Sequence, residues 1–184
     1  HILRQQCQQQ QDQKETTEPP CYPGASHLST VVKTLRNYAK TRKGNEYVLL
    51  LDAGDAAFGN PDTNETLVAH TMNKLGYQGM TLGNHEMDIG PQRLQRFADS
   101  LEFPILASNV DGLGTVVQPY LKLSLAPNLT FCVVGSTADE PNPLAGPKLQ
   151  IRSEIPSIQQ VLDQLSSNDD DDDDRNKCTR TIVL

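Results

Sequence analysis

Apolar residues recur at helical spacing from Ser26 onward: Leu28, Val31, Val32, Leu35 and Tyr38 share one face. Ser26 or Ser29 can cap this helix, and Gly44 ends it. Tyr47–Leu51 is an unbroken apolar run, which predicts a strand buried on both faces. Thr66–Leu75 returns to helical spacing and stops at Gly76, and Gly79–Leu82 is a short strand. Pro91 suits the first position of a helix that turns Leu94, Phe97 and Leu101 to the core, and Ile105–Ala107 follows as a strand. This α-β-α-β-α-β order predicts parallel strands joined by right-handed crossovers. Val116–Leu125 and Leu129–Val134 predict two more strands in a more antiparallel region. Ile155–Leu165 predicts a helix through Ile158, Val161, Leu162 and Leu165, and Thr181–Leu184 has strand character. There is no internal repeat.

Two segments break the pattern. Gln5–Gln13 is Gln-rich and runs into Pro19, Pro20, Pro23 and Gly24, so residues 1–25 predict an exposed low-complexity loop. Cys7 and Cys21 bracket it, either as a bridge in an oxidising compartment or as two thiols. Cys132 lies in an apolar run and reads as core; Cys178 has no evident partner. The second segment, residues 168–177, contains Asp169–Asp174. It could hold calcium ions or a basic partner, but adjacent like charges repel, and a solvated loop between helix and strand is the expected reading.

Composition sharpens this picture. The 184 residues suit about one domain, and 36% hydrophobic residues are enough for a core. Six of the seven net negative charges sit in Asp169–Asp174, so the remainder is close to neutral and lacks the basic footprint of a nucleic-acid binder. No apolar run approaches the ~18–20 residues of a membrane span. The chain has no initiator Met, no signal-peptide order in His1–Gln10, and a strand-like end at Leu184; it reads as a piece of a longer protein.

Chemistry concentrates in two places. Leu50-Leu51-Asp52-Ala53-Gly54-Asp55 is an apolar strand running into carboxylates. Met80-Thr81-Leu82-Gly83-Asn84-His85-Glu86-Met87-Asp88 is a strand ending in Gly-Asn-His-Glu. Ligands of open α/β sheets collect at the carboxyl ends of strands. One helix-strand unit separates the two segments, which predicts that Asp55 and Asn84 lie close together on neighbouring strands. A carboxylate can bridge two divalent ions, an Asn carbonyl can bind one, and imidazoles complete sites for zinc or manganese. A helical turn after Gly83 would let Asp88 reach the ring of His85 and favour its imidazolium. Asp, Asn and Gly are also ordinary turn residues, but the ordered pair of segments is harder to assign to turns alone.

Gly54-Asp55 followed by Gly83-Asn84-His85-Glu86 resembles the signature of calcineurin-like metallophosphoesterases. Val68–Tyr77, Gly83–Asp88 and Phe103–Val110 resemble the 5′-nucleotidase/apyrase branch in particular. The resemblance implies an α/β fold, a four-layer α/β/β/α sandwich, incomplete here, with residues 1–184 as part of an N-terminal metallophosphoesterase domain. It implies Asp55, Asn84 and His1 as metal ligands and His85 with Asp88 as a catalytic dyad. It implies two divalent ions, zinc foremost with manganese or magnesium as alternatives, and cleavage of nucleoside phosphates by a metal-bound hydroxide. Further histidine motifs and a C-terminal nucleotide-binding domain would lie beyond Leu184, so the chain alone is expected to be inactive. The substrate would be AMP, or ADP and ATP for an apyrase; a dimer in the full-length form and a secreted or cell-surface location are in keeping with this branch. A catalytically silent secreted binding protein is the rival from another class. The sequons at Asn64 and Asn128 permit N-glycosylation. The chain departs from the branch at His27, where an Arg is usual, and in a shorter loop over residues 59–66. His70 in the second helix reads as a packing residue.

Overall fold

The computed structural model describes residues 24–42, 46–56, 64–140, 149–167 and 177–184. Residues 1–48 and 49–184 form two separate units. The first contributes one described helix, α1 (Ala25–Thr41). Its N-cap is Gly24, with no side-chain cap, and Ser26 and Ser29 lie inside the helix. Of the predicted apolar face only Val32 is buried; Leu28, Val31, Leu35 and Tyr38 are exposed. Gly44 lies outside the described residues; the helix has already ended at Thr41.

The second unit is mixed α/β. In chain order it contains β1 (Leu51–Asp52), α2 (Glu65–Leu75), β2 (Gly79–Thr81), α3 (Asn84–Asp88), α4 (Pro91–Ser100), β3 (Ile105–Leu106) and β4 (Val110–Asp111). After a 3-10 turn at Gly114–Val116 come β5 (Val117–Gln118), β6 (Tyr120–Ala126), β7 (Leu129–Val134), β8 (Gln150–Ile151), α5 (Glu154–Ser167) and β9 (Arg180–Val183). Local chemistry sets the helix ends. Asn64 caps α2 by accepting from the Leu67 N–H at 3.1 Å, and Gly76 at φ 74° closes it in the left-handed region. Pro91 opens α4 as expected.

One sheet runs β1-β2-β3-β5 with every pairing parallel. The strand expected over Tyr47–Leu51 pairs only from Leu51, and Tyr47 is exposed. The strand expected over Val116–Leu125 is broken: Val117–Gln118 joins the parallel sheet, and the chain then crosses through Pro119 into β6. Proline has no N–H for a ladder, which suits that changeover. A second sheet, β6-β7-β9, joins an antiparallel hairpin to a parallel third strand. The two-stranded β4-β8 pair was not foreseen.

The helices α2 and α4 cover the parallel sheet through Ala69, Met72, Leu94 and Phe97, packed with Met80, Leu82 and Ile105. Helix α5 packs Val161 and Leu165 against Cys132 and Val134 of β7. The strand ends of the two sheets meet closely: Ser108 N–H donates to Gly135 O at 2.7 Å, and a Cβ on Gly135 would strike the Leu106 backbone. Buried Asn109 ties the same corner, donating to Thr137 O and Arg152 O and accepting from the Thr137 N–H. Cys132 and Cys178, read from the sequence as a core residue and an unpartnered cysteine, are disulfide-bonded with Cα atoms 5.6 Å apart. Cys132 is fully buried as well, so both roles coincide there. Cys7 and Cys21 lie outside the described residues.

Candidate active site

The register of β1 on β2 pairs Leu51 with Gly79 and Asp52 with Met80, so both chains leave the sheet at the same edge. Asp52 turns the first chain by accepting from the Gly54 N–H at 3.0 Å. Burial raises its carboxyl above the usual range, the Gly54 N–H opposes that, and the charge of Asp55 adds to the rise. Gly54 follows at φ 91° and Asp55 at φ 58°; Asp55 is the single non-glycine residue with positive φ among the described residues. The second chain turns at Gly83 into the one-turn helix α3, which begins at Asn84. These turns are in contact. A Cβ on Gly54 would lie 2.7 Å from Gly83 N, and one on Gly83 would strike the Asp55 carboxylate and Glu86. Both glycines therefore answer a need for space, and Gly54, at φ 91°, answers one for backbone freedom as well.

Hydrogen bonds complete the junction. The Asp55 carboxylate accepts from the His85 backbone N–H at 3.1 Å. The His85 ring Nδ1 lies 2.8 Å from Asp88 Oδ2. The Asp88 hydrogen bond is the main cause that raises the imidazole above its ordinary value; desolvation opposes it, and the Asp55, Asp88 and Glu86 charges assist. With Nδ1 engaged, the other ring nitrogen is left to act outward. Asp55 and His85 are exposed and Asn84 is partly so, which keeps the cluster open to a ligand.

The structure thus brings together Asp55, Asn84, His85 and Asp88 at one sheet edge. His1 lies outside the described residues. His70 does not pack as expected: it is exposed on α2. His27 lies in the first turn of α1. Sequence reasoning missed Glu86, which is fully buried and accepts from three backbone N–H groups: Gly83 at 2.8 Å, Asp55 at 3.0 Å and Ala56 at 2.8 Å. Burial raises its carboxyl, while the Asp55 and Ala56 N–H groups act against that. It stands three residues after the Gly83 N-cap and reaches back to that residue's N–H, but glycine has no side chain for the other half of a capping box, so the sequence pattern does not flag it.

Among the described residues, no group of three or more His, Cys, Asp or Glu side chains gathers as a metal cage. The Asp55 carboxylate and the Asn84 amide are nevertheless hard oxygen donors at adjacent strand ends. Such donors suit divalent cations as part of a larger ligand set.

Comparison with known proteins fits this geometry. No family model matches the chain. The fold is that of the calcineurin-like phosphoesterases: against YfkN from Bacillus subtilis the TM-score is 0.63 at 18% identity, over 94% of this chain and 55% of that one. The 5′-nucleotidase precursor from Thermus thermophilus gives a TM-score of 0.67 at 24% identity, over 85% of this chain and 30% of that one. In sequence the chain is a relative of the 5′-nucleotidases. It is 34% identical to the 5′-nucleotidase of Bos taurus over 80% of this chain and 27% of that protein. It is 30% identical to the snake venom 5′-nucleotidase of Naja atra over 87% of this chain and 31% of that one. The chain therefore spans about a quarter to a third of the length of these curated relatives.

Proposed function

We propose that this chain carries part of the active site of a metal-dependent nucleotide phosphohydrolase of the 5′-nucleotidase type. The observation that carries the reading is the joined pair of turns at one sheet edge, with Asp55 bonded to the His85 N–H and His85 bonded to Asp88. Sequence similarity to 5′-nucleotidases over most of the chain supports it.

In this reading Asp55 and Asn84 hold divalent ions, zinc or else manganese or magnesium, together with ligands outside the described residues, His1 among them. Such ions, when bound, neutralise phosphoryl charge and lower the pKa of water at the site. The other tasks fall to side chains on the page. Asp88 holds the His85 ring through Nδ1 and favours its protonated form. The opposite ring nitrogen then faces the phosphoryl group, where it stabilises developing negative charge or gives a proton to the leaving oxygen. Residues 1–184 act as part of an N-terminal catalytic domain, and a separate nucleotide-binding domain supplies base recognition. The chain by itself should turn over nucleotides negligibly.

A secreted or cell-surface location suits the Cys132–Cys178 disulfide, because such bonds persist in oxidising compartments. Asn64 and Asn128 are both exposed, as glycan acceptors must be. No helix among the described residues is long and apolar enough to cross a membrane. The test is phosphate release from AMP, ADP and ATP by the full-length protein loaded with zinc or manganese. The reading expects AMP hydrolysis that a chelator abolishes; no release from any nucleotide in the loaded protein would refute it.

A further inference from the structure

We infer that Glu86 is a positioning residue: its buried carboxylate fastens the Gly54-Asp55 turn to the Gly83-Asn84 turn and sets where the Asp55 carboxylate stands. This rests on the reading of Asp55 and Asn84 as a divalent-ion site, but the clamp itself is geometric.

Three features point the same way. Glu86 is fully buried, and its two oxygens are filled by backbone donors from both turns. Oε2 accepts from Asp55 N–H at 3.0 Å and Gly83 N–H at 2.8 Å, and Oε1 accepts from Ala56 N–H at 2.8 Å. Asp55 sits at φ 58°, a conformation that a non-glycine residue keeps only when its surroundings hold it. The Glu86 bonds to the N–H groups of Asp55 and Ala56 lie on both sides of that dihedral. Finally, Gly83 is packed so tightly on Asp55 and Glu86 that a small rotation of either turn would misplace the other. Beyond the Asp55 carboxylate, the chain of contacts continues to the His85 N–H. A residue that never reaches the ligand thus fixes the direction of the groups that do. This is how buried partners orient metal-ligating groups in general.

The chemistry predicts a specific pattern of substitutions. Glu86→Gln keeps the size of the side chain but replaces one acceptor oxygen by an NH2 group. That group must face a backbone N–H, so at least one of the three bonds becomes a donor-donor contact. Glu86→Asp keeps the charge but is one methylene short of the three donors. Both variants should loosen the same small set of amides.

The experiment measures amide hydrogen exchange and Mn2+ binding by calorimetry in the full-length protein and its Glu86→Gln and Glu86→Asp variants. We expect the amides of Gly83, Asp55 and Ala56 to exchange at least about tenfold faster in both variants, with those of Met80 and Leu82 unchanged. We also expect Mn2+ to bind about tenfold or more weakly. Exchange at wild-type rates in Glu86→Gln would overturn the clamp. So would a loss of protection that spreads through Met80 and Leu82, because Glu86 would then be supporting the core in general. If the wild-type protein binds no Mn2+, the metal-site reading falls, while the exchange pattern still decides the clamp. Wild-type Mn2+ affinity in a variant with loosened amides would refute the positioning of Asp55.

Discussion

The two larger sheets of the second unit are held together by different means. In β6-β7-β9 the hairpin ladder runs from Tyr120 opposite Val134 to Ala126 opposite Leu129, and Cys132–Cys178 adds a covalent link. In β1-β2-β3-β5 the strands are two or three residues long, and the loops beyond them depend on close glycine contact and one buried carboxylate. The candidate site residues Asp55, Asn84, His85 and Asp88 lie on the second kind of support. Short strands end early and release their chains at one edge, where polar groups can converge. Long ladders spend the same backbone on each other.

Four measurements would break or sharpen this contrast. The largest effect belongs to His85→Ala in the metal-loaded full-length protein. Turnover should fall by about 10²–10⁴-fold while metal content stays as in wild type. Loss of metal with turnover would reassign His85 as a ligand. Next is removal of the disulfide by joint Cys132→Ser and Cys178→Ser substitution. Opening a link across a sequence separation of 46 should lower unfolding free energy by about 4 kcal/mol on the chain-entropy account, read from urea midpoints. Nucleotide turnover below the unfolding midpoint should barely change, and a large drop would show that the two sheets do not divide labour as described. Third, Gly83→Ala should cost about 2–3 kcal/mol of stability, because the added methyl meets Asp55 and Glu86. A neutral effect in the same urea titration would mean that the junction is looser than its geometry.

The smallest effect concerns the Glu65–Arg93 ion pair between α2 and α4. Its hydrogen bond to Arg93 lowers the Glu65 carboxyl from its ordinary value. A carboxyl lowered on folding contributes stability above its unfolded pKa, and that contribution disappears as pH falls through its folded pKa. Glu65→Gln should therefore be slightly less stable than wild type at neutral pH and indistinguishable from it in strong acid. Thermal midpoints across that range would show the convergence, and a constant gap would assign the effect to something other than the charge. Partial exposure of the pair keeps the magnitude small.

Much of this arrangement was legible in the sequence. Gly76 and Pro91 marked helix ends through backbone chemistry that acts locally, and those boundaries hold. The spacing of Asp55 and Asn84 by one helix-strand unit predicted their shared edge, and the parallel register delivers it. What stayed hidden depends on partners distant in the chain. Tyr47–Leu51 has the composition of a whole strand, yet only its last residue pairs, because the neighbour Gly79–Thr81 is itself short. Cys178 sits beside a run of aspartates that says nothing of Cys132 on β7. Glu86 reads as a surface residue by type and is fully buried, since its three donors come from backbone, which carries no sequence signature.

The parallel pairing of β7 with β9 has a kinetic consequence. Phe131 meets Arg180 and Val134 meets Val183, so the ladder closes only after a long intervening stretch, α5 included, has been made and folded back. Until then the hairpin stands with one side of β7 unsatisfied. That strand reads Leu-Thr-Phe-Cys-Val-Val, uncharged and rich in β-formers, which is the kind of segment that recruits other chains. The yield of soluble protein should thus depend on how quickly β9 arrives, and oxidation of Cys132 with Cys178 makes that arrival hard to reverse.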